Sequence, residues 1–263
     1  MTTAIITGAS GGIGRELARL FARDGYDLAL VARNRPTLKG LADELVKRHG
    51  IRAWPLVADL GQSPGPVAVA EAVKATGAEV SVLVNNTGFG LHGRFAQTSL
   101  ERELEMIRVN VAALTHLTKL FLPGMLERRS GRIVNVASTA AFQAGPLMSV
   151  YYASKAFVLS FSLALAVELD GTGVTVTTLC PGPTRTGFQV VAGTGDTPLF
   201  SGLGVMDAAP VAAAGYRAAM RGDALVIPGI LNKLVAQSTR LGSRLMAAKI
   251  AGWRQRRRVR SKK

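Results

Sequence analysis

Tyr151 and Lys155 are a pair of side chains whose types and spacing could move a proton. A helix opening near residue 150 sets them four residues apart, on one helix face. An ammonium beside a phenol favours the phenolate and lowers its pKa from the usual value of about 10. A tyrosine tuned in this way can give and take a proton near neutral pH. The same spacing also suits a tyrosine and a lysine on a solvated face. What the rest of the chain sets beside them therefore decides the reading.

The chain opens with Ala4-Ile5-Ile6, a short apolar run, then Thr7-Gly8-Ala9-Ser10-Gly11-Gly12-Ile13-Gly14. Residues 15–23 follow with Leu17, Leu20 and Phe21 at helical spacing. Strand, glycine-rich turn and helix make the first half of a dinucleotide-binding unit, in which backbone N–H groups at the helix start meet a pyrophosphate. The spacing is Gly-x-x-x-Gly-x-Gly rather than Gly-x-Gly-x-x-Gly. A second strand, 28–31, ends in Ala32-Arg33 with no acid to bind a ribose 2′-hydroxyl. An arginine there can grip a 2′-phosphate, which predicts NADP(H) in preference to NAD(H). Asp59, at the end of a third strand at 52–60, is placed to meet an adenine amino group.

Further strands are expected at 80–84, 132–138, 174–179 and 224–227, with helices at 38–49, 67–76, 100–122, 150–169 and 210–220. Strands alternating with helices predict an α/β protein: a Rossmann-type doubly wound, seven-stranded parallel sheet in three αβα layers. Helix 150–169 is apolar nearly all round and is expected to be buried on both sides. No apolar run is expected to reach the length of a membrane span. The first residues read as a strand rather than a secretory leader. Cys180 is the single cysteine and is read as a core residue, so no disulfide framework and no metal site are expected.

The ensemble resembles the short-chain dehydrogenase/reductases of single-domain type. The match runs from Thr3 to about Gly229, through Thr7-Gly8-x-x-x-Gly12-x-Gly14, Asp59, Asn85-Asn86-x-Gly88, Asn110, Ser138, Tyr151-x-x-x-Lys155 and Pro181-Gly182. Thr87 departs from the family's usual alanine. The resemblance implies that Tyr151 is the general acid/base and that Lys155 holds the nicotinamide ribose and tunes the tyrosine. It implies that Ser138 orients the substrate oxygen and that Asn110 holds a relay water. It spreads the cofactor over Gly8, Ser10, Gly12, Ile13 and Gly14, then Arg33, Asp59 and Leu60, then Asn86 and Gly88. Tyr151, Lys155, Pro181, Gly182 and Thr184 complete that set. Tyr152 and His92 are read as structural.

The substrate pocket is expected from the segments after Gly88, Ser138 and Pro181. Phe89, Gln143, Met148 and Phe188 are the substrate-binding candidates, with Leu91, Thr139, Phe142 and Val190 around them and Arg94 and Arg185 the nearby cations. This apolar balance predicts a lipophilic carbonyl or alcohol, such as a 3-oxoacyl thioester or a steroid-like ketone. Residues 185–205 read as a mobile lid. The alternative function is a catalytically silent NADP-binding regulator or a membrane-associated scaffold.

The net charge of +15 is uneven: from Arg217 onward there are thirteen Lys/Arg and one acid. The expected organisation is a catalytic domain over 1–230 and a basic amphipathic extension over 231–263. That extension suits an anionic membrane surface, or equally a helix packed on the domain with a solvated end. It lacks the features of a nucleic-acid binder. The expected setting is cytoplasmic, and peripheral at the inner face of a membrane where the extension binds one, as a homodimer or homotetramer.

Overall fold

The structure is a computed structural model that describes residues 2–193, 204–238 and 243–259. Six long strands and one short one form a parallel sheet. They are β1 (Thr2–Thr7), β2 (Asp27–Ala32), β3 (Ala53–Val57), β4 (Glu79–Asn85), β5 (Gly131–Val136), β6 (Val174–Leu179) and, after the pair β7 (Thr184–Arg185) and β8 (Met206–Asp207), β9 (Leu225–Val226). The order across the sheet is β3-β2-β1-β4-β5-β6-β9. It reverses between β1 and β4, the point where such sheets open a crevice beyond the strands' carboxyl ends. β3 is shorter than the 52–60 expected. It is the sheet edge, where Pro55 is tolerated because no outer neighbour needs its N–H.

The helices are α1 (Gly12–Arg23), α2 (Arg35–His49), α3 (Gly65–Ala75), α4 (Leu100–Ile107), α5 (Leu114–Glu127), α6 (Ser149–Glu168), α7 (Phe188–Val191), α8 (Ala208–Arg221), α9 (Ile230–Ser238) and α10 (Arg244–Val259). Strand periodicity decides which layer each helix joins. Ala4, Ile6, Leu28, Leu30, Val82 and Val84 pack on one face with α1, α2 and α8. Ile5, Ala29, Val31, Leu83 and Ile133 pack on the other with α3, α5 and α6.

Three expectations are corrected. The stretch 100–122 is not one α-helix. It holds a π-helical segment at Arg108–Ala113 and continues to Glu127. Two stretches, Leu100–Glu127 and Ser149–Glu168, are long and apolar enough by composition to cross a membrane, although no such run was expected; here both flank the sheet. α6 is not buried on both sides: Phe157 and Val167 are exposed, because one helix face lies outside the sheet layer. Of the expected lid, 194–203 lie outside the described residues. Its ends are tied by the pairing of Thr184 with Met206 and Arg185 with Asp207.

The centre of the sheet is polar. Asn85 and Asn135 are register partners on β4 and β5. Asn85 Nδ2 donates to Asn135 Oδ1 (2.9 Å) and to Thr118 Oγ1 on α5 (3.1 Å). Asn135 Nδ2 donates to Ser162 Oγ on α6 (2.8 Å). These bonds fix both helices to the two central strands in one register. Replacing Asn135 by alanine leaves buried partners unsatisfied and should lower the unfolding free energy by about 2 kcal/mol, read from urea denaturation. An unchanged midpoint and slope would show that the link contributes nothing to stability.

Candidate active site

The backbone packs closely where the turn after β1 enters α1. A Cβ on Gly14 would lie 2.4 Å from the Gly8 carbonyl oxygen. Thr7 Oγ1 accepts from the Asn86 and Thr87 N–H groups (2.9 and 3.0 Å), and Asn86 Nδ2 donates to the Thr7 carbonyl (2.9 Å). The ends of β1 and β4 are thus sewn together at the reversal point of the sheet. No side chain caps α1; its Ncap is Gly11. Its first N–H groups are therefore left for another partner, and Gly11, Gly12 and Ile13 line the main cavity.

That cavity has a volume of about 880 Å³. At one end lie Arg33, Asp59 and Leu60; in the middle Gly8, Ser10, Asn86 and Gly88; then Pro181, Gly182 and Thr184; at the other end Ser138, Tyr151 and Lys155. Of the expected cofactor residues, Gly14 alone does not line it. The size, the uncapped helix start and the glycine-rich turn fit a nicotinamide dinucleotide. Arg33 is largely exposed, with Nη1 3.6 Å from Glu105 Oε1. Asp59 Oδ1 accepts from the Gly61 N–H (2.9 Å), which shapes the loop after β3.

At the far end Tyr151 and Ser138 line the cavity together, and Ser138 Oγ donates to the Pro181 carbonyl (3.4 Å). Ser138 Oγ also accepts from the Ala140 N–H (3.1 Å), so the turn holds the hydroxyl in place. Lys155 Nζ donates to the Val136 carbonyl (2.8 Å) and lies 6.0 Å from the centre of the Tyr151 ring. Both side chains are almost wholly buried. Burial overrides the expected tuning. Desolvation pushes the Tyr151 phenol above its ordinary value, and the Ser138 hydroxyl only partly opposes this. Desolvation also lowers Lys155 to about 8, against a smaller opposing effect from Cys180. At neutral pH the phenol therefore carries its proton. The two hydroxyls can hold and protonate an oxygen placed between them, with an ammonium behind.

Asn110 sits in the π-helical segment and does not line the cavity. Its Oδ1 accepts from the Phe89 N–H (3.1 Å), and its Nδ2 donates to the Phe89 carbonyl (3.0 Å) and to Ser154 Oγ (3.0 Å). Its side chain thus clamps the β4 exit loop against α6.

The substrate candidates Phe89, Gln143, Met148 and Phe188 all line the cavity; Leu91, Phe142, Val190, Arg94 and Arg185 do not. Arg185 pairs with Asp207 (3.0 Å). Sequence reasoning missed Gly90. A Cβ there would lie 2.9 Å from Met148 and Phe188 and 3.3 Å from Tyr151 Cδ2. It also missed Leu231, Asn232, Val235 and Ala251, which bring α9 and α10 to the cavity. Their signal, apolar spacing in a basic segment, reads equally well as a surface helix.

Residues 2–195 match the family model for short chain dehydrogenases. The chain belongs to the short-chain dehydrogenase family. It is 35% identical over 184 residues to the very-long-chain 3-oxoacyl-CoA reductase of Anas platyrhynchos, across 68% of this chain and 58% of that protein. Among solved structures it is similar to the short-chain dehydrogenase of Sphingobium yanoikuyae in complex with NADPH. That similarity has 34% identity, a TM-score of 0.81, and coverage of 92% and 95% of the two chains. It is similar also to a Burkholderia phymatum family member in complex with NAD, at 26% identity, TM-score 0.80, with 90% and 92% covered. The chain spans between 32% and 59% of the length of the first curated relatives it matches.

The lowered pKa of Lys155 has a consequence for stability. Below about 8 the native state holds a buried ammonium at a cost; that cost fades as pH rises from about 8 towards 10.5, the ordinary value. Wild type should therefore gain stability relative to Lys155→Met across that window, read from thermal melts in a pH series. A constant difference would mean that the ammonium is not desolvated.

Proposed function

We propose that this chain is an NADP(H)-dependent oxidoreductase that reduces a carbonyl on a lipophilic substrate, or oxidises the corresponding alcohol. The observation that carries this reading is the Ser138–Tyr151 hydroxyl pair backed by Lys155 at the end of a dinucleotide-sized cavity. The bound nicotinamide supplies or accepts the hydride. Ser138 Oγ–H would hold the substrate oxygen, and Tyr151 Oη–H would pass its proton to that oxygen as the carbonyl becomes an alcohol. Lys155, titrating near neutrality, stands behind the phenol as the source of charge. A phenol that is neutral at pH 7 is ready to donate its proton to a carbonyl oxygen.

Phe89, Met148, Phe188, Leu231 and Val235 make the substrate end apolar, with Gln143 as its amide. This supports a 3-oxoacyl thioester or a steroid-like ketone. The duck relative, a very-long-chain 3-oxoacyl-CoA reductase by name, supports the thioester. Arg33 at the end of β2, with no acid at that strand's exit, supports NADP(H). Glu105 already faces this guanidinium, so a 2′-phosphate would compete with it. Exposed Leu104, Ile107 and Leu120 on the α4–α5 stretch and Phe157 on α6 support a homodimer or homotetramer joined through these helices. A silent regulator would leave the Ser138–Tyr151 pair without a task.

Tyr151→Phe should reduce turnover on a carbonyl panel by about a hundredfold or more while NADPH affinity changes little. Retained turnover would sink the acid role. Arg33→Ala should weaken NADPH binding by roughly tenfold or more and NADH binding hardly at all. Equal losses would remove the 2′-phosphate assignment.

A further inference from the structure

At the substrate end α9 and α10 turn their large apolar side chains outward, and α7 turns Val190 and Val191 outward while Phe188 packs on Tyr151. α9 buries Asn232 and Ala236 and leaves Ile230 (83% exposed), Leu231, Leu234 (61%) and Val235 open. Asn232 Nδ2 donates to the Gly204 and Pro228 carbonyls (3.1 Å each), so a polar residue anchors the helix where an apolar one would be expected. α10 buries Ala251 and Gly252, the latter against Pro146, and leaves Leu245 (67%), Met246 and Ile250 open with Lys249 among them. α7 leaves Val190 (80%) and Val191 open.

Three of these apolar groups mark one opening. Val191, Leu231 and Val235 are each both solvent-exposed and part of the cavity lining, which places them at its mouth. Ala251 brings α10 to the same cavity. Among the described residues of α9 and α10, small or polar side chains pack inward and Leu, Ile, Val and Met are exposed, the reverse of what a helix on a soluble domain does with its apolar stripe.

We infer that α7, α9 and α10 form a collar that docks on an anionic lipid bilayer and turns the cavity mouth towards the membrane. Charge selects this occupant. Beyond Asp223 the chain carries eleven Lys/Arg and no acid, so a second copy would bring like charges together, whereas an anionic headgroup layer complements them. Apolar side chains flanked by Lys233 and Lys249 match the boundary between acyl chains and headgroups. Anionic lipid lines the cytoplasmic leaflet, so the protein would sit peripherally at the inner face of a membrane. Delivery of a lipophilic carbonyl from the bilayer into the cavity rests on the activity proposed above; the docking itself does not.

The test is co-sedimentation of the full chain with vesicles of phosphatidylcholine alone or mixed with phosphatidylglycerol. The variants are the triple Leu234→Ser, Leu245→Ser, Ile250→Ser and the double Lys233→Gln, Lys249→Gln. None of these residues lines the cavity. The expected result is binding to the anionic vesicles, weaker by roughly tenfold or more on phosphatidylcholine and in each variant. Melting temperatures and turnover of a water-soluble ketone should stay unchanged. Equal binding to both vesicle types, or unchanged binding by either variant, would overturn the proposal. So would a dimer that the triple variant dissolves, since a second copy would then cover the collar. Vesicle binding is read without turnover, so its failure is distinct from failure of the carbonyl reading.

Discussion

Two amide side chains at the centre of the sheet hold the site's parts in one register. Asn85 and Asn135 face each other across β4 and β5, and each reaches a helix: Asn85 reaches Thr118 on α5, and Asn135 reaches Ser162 on α6. α6 carries Tyr151 and Lys155; β5 leads directly to Ser138. A hydrophobic contact would allow α6 to slide by a fraction of a turn at little cost. A buried amide bonded to a buried hydroxyl does not, because the slipped state leaves both unsatisfied. The distance between the Tyr151 and Ser138 hydroxyls therefore depends on a hydrogen bond one strand and three helical turns away.

The electrostatics of the site follow from burial more than from charge pairing. A lysine four residues after a tyrosine suggests an ion that acidifies a phenol. In the folded chain Lys155 turns to the Val136 carbonyl, and both groups leave water. Desolvation disfavours the phenolate and the ammonium alike, so the phenol pKa rises and the ammonium pKa falls. The outcome is a neutral proton donor beside a lysine that titrates near physiological pH. This pairing suits protonation of a carbonyl oxygen.

The C-terminal segment changes its meaning between sequence and structure. In one dimension it is a basic amphipathic stretch attached to a complete domain. In three dimensions α9 and α10 wall the cavity through Leu231, Val235 and Ala251, so the substrate end is built partly from residues beyond 230. Removing this segment would open the pocket as well as discharge the surface.

The Tyr151–Lys155 pair and the glycine-rich turn of a dinucleotide-binding unit were legible in the linear chain. Glycine spacing, strand alternation and the Tyr-x-x-x-Lys step are local patterns with local physical causes. The three layers were legible for the same reason, since alternate strand residues sort themselves to opposite faces. Tertiary structure alone decided the direction of the pKa shifts, the clamp of Asn110 on Phe89, the close packing of side chains on Gly90, and the helices at the cavity mouth. Each depends on desolvation or on contact between segments far apart in the chain, and neither has a signature in the spacing of neighbouring residues.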